Sequence, residues 1–174
     1  AAIEPGAKTK ITLYGRNLPD SKPSEFKIDG KALDQLEVEI EAPKEAAPSY
    51  LARIPAAAGA DAFEYRFQNS NPILLSLATA KPVLESANND RATNALVVTP
   101  PCEISGQFFP RRDVDWFQFE ASKGDVYWVE IFSQRLGLNT DPFAVIQRVT
   151  KDGASDVQEM YDNDANAEIG RAHV

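Results

Sequence analysis

Histidine and cysteine are almost missing from this 174-residue chain, which holds one of each, His173 and Cys102. A lone cysteine can form no intrachain disulfide, so a small secreted scaffold stapled by bridges is excluded, and Cys102 is expected to be inert packing. A hydrolytic pair needs a histidine base or a substitute, and a zinc site needs Cys and His at fixed spacings; neither pattern occurs. No Gly-x-Gly-x-x-Gly run or phosphate loop is found either. The chain is therefore expected not to be an enzyme. Positive charge is also scarce. Eighteen Lys and Arg stand against 26 Asp and Glu, a net charge of −8, which speaks against nucleic acid or an anionic membrane surface as partner. Arg111-Arg112 is too brief to change that. No apolar run is long enough to span a bilayer, so no membrane insertion is expected; there is no starting Met and no charged-then-apolar leader. The sequence is expected to be a piece of a longer chain.

What is present is a succession of short alternating segments separated by turn residues, the pattern of an all-β protein. Lys10 to Gly15 places Ile11 and Leu13 on one face, and Asn17-Leu18-Pro19-Asp20 breaks the run. Glu25-Phe26-Lys27-Ile28 leads into Asp29-Gly30, a hairpin turn signal, after which Leu36-Glu37-Val38-Glu39-Ile40-Glu41 alternates with its glutamates on the wet face. Tyr50 to Ile54, Ala62 to Phe67 and Ile73 to Leu77 complete about six strands, with prolines confined to the gaps. Ala56 to Ala60 reads as a loop. Residues 1–78 thus form a first β module, and 79–84, where Pro82 holds Lys81 extended, read as a linker.

The second module starts at Glu85. Ala95 to Val98, Glu103 to Phe108, Phe143 to Val149 and Val157 to Tyr161 read as strands, with a turn at Lys151-Asp152-Gly153. Its densest apolar stretch is Asp113-Val114-Asp115-Trp116-Phe117-Gln118-Phe119, followed across Lys123-Gly124-Asp125 by Val126-Tyr127-Trp128-Val129-Glu130-Ile131-Phe132. This reads as a β-hairpin whose Trp116, Phe117, Phe119, Trp128 and Phe132 are sealed beneath a second sheet. The fold class expected is two small antiparallel β-sandwich modules, the second jelly-roll-like and too short of strands to close. Ile169-Gly170-Arg171-Ala172-His173-Val174 is the translation of ATC GGA AGA GCA CAC GTC, a run found in a widely used sequencing adapter. Residues 169–174 are therefore expected to be non-biological read-through, and His173 to carry no chemistry.

Several of these landmarks come in a familiar order. Glu85 to Asp90, Ser105-Gly106, the Asp-Val-Asp-Trp-Phe run from Asp113, Lys123-Gly124-Asp125, Leu136-Gly137 with Asp141-Pro142, Asp152-Gly153 and Asp162-Asn163-Asp164 together resemble the bacterial pre-peptidase C-terminal domain family over residues 85–168. The segment Thr9 to Leu18 resembles the opening strand of an immunoglobulin-like TIG/IPT domain. The first resemblance implies a β-sandwich accessory module of secreted bacterial proteins, often found beside peptidase domains, with calcium bound in some members. Extracellular or cell-envelope localisation follows from the same resemblance.

Calcium is the cofactor to weigh. The second half of the chain, residues 85–174, carries 15 acidic and 8 basic side chains, against 11 and 10 in residues 1–84. Calcium needs six to eight oxygen ligands, and the resemblance implies that Glu85, Asn89 and Asp90 supply some of them. Asp113 and Asp115 join them if the module's first segment folds back over the opening of the hairpin. Ala87 stands where the family has a further acidic residue, which lowers the ligand count. The other reading of the same residues is that Asn88, Asn89 and Asp90 turn the chain while Asp113 and Asp115 face outward beside Trp116. A second acidic run, Asp162 to Glu168, mimics the start of an EF-hand loop but has Ala167 in place of Gly and His173 in place of the bidentate Glu, so it reads as a loop.

Two functions remain open. One is a noncatalytic binding region of a secreted or surface protein, its partner an extracellular polymer or protein alongside adjacent domains of the chain. The other is an appendage of a secreted peptidase or other hydrolase whose catalytic domain lies elsewhere.

Overall fold

Alternation decides the first half. A computed structural model describes residues 1–46, 61–109, 112–133, 136, 138, 140, 142–161 and 170–173, and these are all-β apart from short 3-10 turns such as Ala92–Asn94. Strands β2 (Lys8–Gly15), β3 (Lys22–Ile28) and β4 (Lys31–Glu41) form an antiparallel sheet in the order β2-β4-β3. Asp29 and Gly30 both take positive φ, +52° and +74°, which the tight turn between Ile28 and Lys31 requires. Pro23, which cannot donate to a ladder, lies on the edge strand, where the β3/β4 register shifts between Pro23 and Lys27. Glu37, Glu39 and Glu41 face solvent while Val38 and Ile40 turn inward. Lys8–Glu41 and Lys10–Glu37 pair across that wet face at 3.6 and 3.0 Å, contacts worth little in water.

A second sheet, in the order β1-β6-β5, combines β1 (Ala2–Ile3), β5 (Ala62–Tyr65) and β6 (Ile73–Leu77). Ile3, Phe63, Leu75 and Leu77 from this sheet meet Ile40 and Ala42 from the β4 end of the first, with Ile11, Val38 and Tyr65 packed around them. Both sheets therefore bury their apolar faces in one shared core, the main source of stability in this half. The strand expected at Tyr50 to Ile54 and the loop at Ala56 to Ala60 lie outside the described residues.

The expected linker is not a free connector. Residues 81–84 form β7 (Lys81–Leu84), which pairs in parallel with β9 (Cys102–Ser105), Lys81 opposite Cys102 and Leu84 opposite Ser105. Just before it, the Thr79 N–H and hydroxyl and the Ala80 N–H all donate to Oε1 of Glu103. The Ala2 N–H donates to the Ser105 hydroxyl at 2.7 Å, so β9 is tied to the first module as well.

The expected hairpin is corrected by its own backbone. A turn does form at residues 122–125, with Gly124 at φ +95°, the Asp125 N–H on the Ser122 carbonyl at 3.0 Å, and the Ser122 N–H on Asp125 Oδ2 at 2.8 Å. Its arms do not pair with each other. β10 (Phe117–Gln118) runs parallel to β8 (Leu96–Val97), while β11 (Val126–Val129) is antiparallel to β14 (Gly170–His173). The reason is that the hydrogen bonds around β10 are already taken up by the 89–98 segment: Trp116 N–H donates to Asn89, Leu96 N–H to Trp116, and Val98 N–H to Gln118. The two sides of the turn meet through Tyr127, whose ring packs edge-on against Phe119 at 4.9 Å and whose hydroxyl donates to the Glu120 carbonyl at 3.4 Å.

Lacking one continuous ladder, the aromatic set is not sealed. Trp116, Phe119 and Phe132 are half-buried, but Phe117 is 37% and Trp128 61% exposed. Residues 170–173, within the tail read as non-biological, form β14. The remaining pair, β12 (Phe143–Thr150) and β13 (Gly153–Tyr161), is the hairpin expected at Lys151-Asp152-Gly153, with a register shift between Ile146 and Gln147. Among the described residues, no helix is long and apolar enough to cross a membrane.

Candidate metal centre

The parallel β7/β9 pair ends at the site. Glu85 continues β7 by donating its N–H to the Ser105 carbonyl at 3.0 Å, which places its side chain over the residues that follow β9. Its Oε1 accepts the Gln107 N–H at 2.7 Å. Its Oε2 lies against Gly106 so closely that a Cβ there would stand 2.2 Å away. That oxygen is buried and receives no hydrogen bond.

Four residues on, Asn89 is wholly buried, at 0% exposure. Its backbone carbonyl accepts the Trp116 N–H at 2.8 Å, which sews the 85–90 segment to the Asp113–Trp116 run. Its Oδ1 has no hydrogen-bond partner, while the side chain faces the Asp115 carboxyl and favours its charged form. A buried amide in that condition costs about 1–3 kcal/mol for each group left unpaired, so a fold does not place one inside without cause.

Asp90, Asp113 and Asp115 complete the group. One carboxylate oxygen from each lies within 4.8 Å of those of the other two. Asp113 also anchors the backbone nearby, accepting the Phe109 N–H on Oδ2 at 3.0 Å and the Val114 N–H on Oδ1 at 3.1 Å. All five residues singled out in the sequence lie around Asp115: besides burial, the charges of Asp113 and Asp90 push its carboxyl up, and the side chains of Glu85 and Asn89 act on it as hydrogen-bond partners that pull it back. Ala87, in the position where a further acidic group was sought, is exposed. The acidic run at 162–168 lies outside the described residues.

The electrostatics are those of a site with too much negative charge. Loss of water pushes the Glu85 carboxyl up to about 7, helped by the charges of Asp115 and Asp113 and opposed by the Gln107 N–H. Burial is again the largest cause at Asp115, followed by Asp113 and Asp90, and its carboxyl also lies above the usual range. Carboxyls crowded in this way can be relieved by a proton or by a cation. The donor set is entirely oxygen, with one neutral amide among carboxylates, which suits calcium or magnesium and not the metals that favour imidazole or thiolate. The unpartnered Asn89 Oδ1 and Glu85 Oε2 are the atoms such an ion would satisfy.

Sequence reasoning missed Gly106 and Gln107. They contribute no ligand side chain, only a surface bare enough for Glu85 to lie on and an N–H that fixes its angle. No family model matches the chain, and no curated protein and no solved structure is similar to it.

Proposed function

We propose that the opening of the second module holds a calcium ion through Glu85, Asn89, Asp90, Asp113 and Asp115. On this reading the chain is a noncatalytic accessory region of a secreted or cell-surface bacterial multidomain protein. The second module is then of the pre-peptidase C-terminal kind and the first an immunoglobulin-like partner, each a β-sandwich. Its own partners are an extracellular polymer or protein and the neighbouring domains of its chain.

The observation that carries the calcium reading is Asn89, fully buried with its Oδ1 unpartnered and its side chain against the Asp115 carboxyl, beside three converging aspartates. Turn formation accounts for an asparagine at that place only when its side chain bonds to backbone, which this one does not. The ion would neutralise the crowded carboxylates and fix the 85–90 segment against the Asp113–Trp116 run. Magnesium is the weaker fit, because it keeps several waters and an octahedral shell that an amide already buried among carboxylates does not favour.

Thermal unfolding with calcium against a chelator tests the reading. A ligand bound only by the folded form contributes about 2.7 kcal/mol at a hundredfold excess over Kd. For a chain of this length, that corresponds to a rise of roughly 5 to 10 °C in Tm. Equal Tm values in millimolar calcium and in chelator would remove it.

A further inference from the structure

Two of the carboxylates in the metal centre hold backbone as well as facing the cluster. Glu85 Oε1 accepts the Gln107 N–H at 2.7 Å, and Asp113 Oδ2 accepts the Phe109 N–H at 3.0 Å. Between them they fix both ends of the short segment 107–109, which follows β9. The ring of Phe109 meets Phe26 of β3 edge-on, with ring centroids 4.5 Å apart, and Phe26 meets Tyr14 of β2 edge-on at 4.6 Å. The segment gripped by the acidic cluster is therefore the one that carries an aromatic contact onto the first module.

Resting on the calcium reading above, we propose that occupancy of the metal centre controls the docking of the second module on the first, through residues 107–109 and the Phe109–Phe26 contact. Without a cation, Glu85, Asp90, Asp113 and Asp115 repel one another, and any spreading of Glu85 or Asp113 carries the Gln107 and Phe109 N–H groups with it. With a cation, each carboxylate is drawn inward and its remaining lone pairs keep the N–H it holds. The modules stay tethered in both states by β7 and by the Ala2–Ser105 bond. What changes is the aromatic clamp. Phe109 is still 40% exposed, so the clamp is light enough to be shifted by a single ligand.

Coupling of this kind is reciprocal: if calcium tightens the clamp, the clamp must tighten calcium by the same factor. An edge-on aromatic pair limits that factor to about 2- to 10-fold. The experiment combines calcium titration calorimetry with peptide-resolved hydrogen exchange on the full chain and on Phe26→Ala, Phe109→Ala and the double variant. In the unaltered chain calcium slows exchange at residues 85–90 and 113–116, and also at 22–28 in the other module. Each single variant loses the effect at 22–28 and binds calcium about 2- to 10-fold more weakly, and the double variant binds no worse than either single one. Should Phe26→Ala not fold, Phe109→Ala alone decides, since it removes a partly exposed ring.

The coupling is overturned if calcium protects 85–90 and 113–116 but leaves 22–28 unchanged, with Phe109→Ala binding at full strength. If calcium protects nothing in the unaltered chain, the metal centre itself falls, and the coupling with it.

Discussion

The carboxylate of Glu85 rests on Gly106, its Oε2 only 2.2 Å from where a β-carbon would stand on that residue. No side chain other than hydrogen fits there unless Glu85 moves. Because Glu85 is fixed at its own end by an N–H bond to Ser105 and at its tip by Gln107, displacement means breaking the tip contact. Gly106→Ala is therefore expected to weaken calcium binding by displacing the Glu85 carboxylate while the chain stays folded. Calorimetric titration beside an urea melt separates the two effects.

Asn89 makes a prediction of opposite signs. Without a metal, the Asn89 amide carries the burial cost of an unpartnered Oδ1, offset only by its contact with the Asp115 carboxyl. Asn89→Leu, close to it in size, is expected to leave Tm in chelator equal to that of the unaltered chain or higher, and to abolish the rise on adding calcium. A loss of Tm in chelator together with an intact calcium response would mean that the amide is held by contacts in the fold itself.

The response to pH follows from Glu85. Its carboxyl sits at about 7 in the folded chain, above its ordinary value of 4.5, so between those limits the folded form holds a proton that the unfolded form has lost. The metal-free fold is then favoured at the acid end of this window, and this contribution is lost as pH rises through about 7. The raised Asp115 adds in the same direction. Calcium reverses the sense, since it binds the ionised carboxylates: its affinity should climb as pH rises through the same range. Melting curves from about pH 5 to pH 8, with calcium and with chelator, should lie together at the acid end and separate as pH rises, and Glu85→Gln should flatten the chelator curve.

Burial separates the two halves. Phe63 lies in the shared core of the first module, whereas Trp128 is 61% exposed. Phe63→Ala should cost about 3–5 kcal/mol, and Trp128→Ala less than about 1 kcal/mol. Acrylamide should quench the Trp128 fluorescence of a Trp116→Phe variant readily. A shielded emission there would show that the aromatic arm is covered after all.

How much of this was legible beforehand depended on the kind of signal. Leu36 to Glu41 announces its strand and its wet face because alternation is local, and Asp29-Gly30 announces its turn because few other pairs tolerate positive φ at both positions. No periodicity connects Glu85, Asn89 and Asp90 with Asp113 and Asp115, so the sequence offers their grouping only through the order of landmarks and only if the segment folds back. The hairpin at Gly124 misled because nearness in sequence and a good turn say nothing about competition. Trp116 and Gln118 bond instead to the segment at Asn89 to Val98, a choice made by tertiary structure. β7 was hidden for the same reason: Pro82 marks an extended segment, but its partner, β9, lies some twenty residues on. Gly106 and Gln107 act through an absent side chain and a backbone N–H, neither of which leaves a residue-type signature of its role.

The most direct measurement is calorimetric titration of the chain with calcium at neutral pH, beside Asp115→Asn, which removes the charge on which the other four residues converge. One ion per chain is expected to bind, with affinity at least tenfold weaker in the variant, a difference of about 1.4 kcal/mol. No heat of binding and no change in Tm up to about 10 mM calcium, beyond the weakest range of extracellular sites, would contradict it.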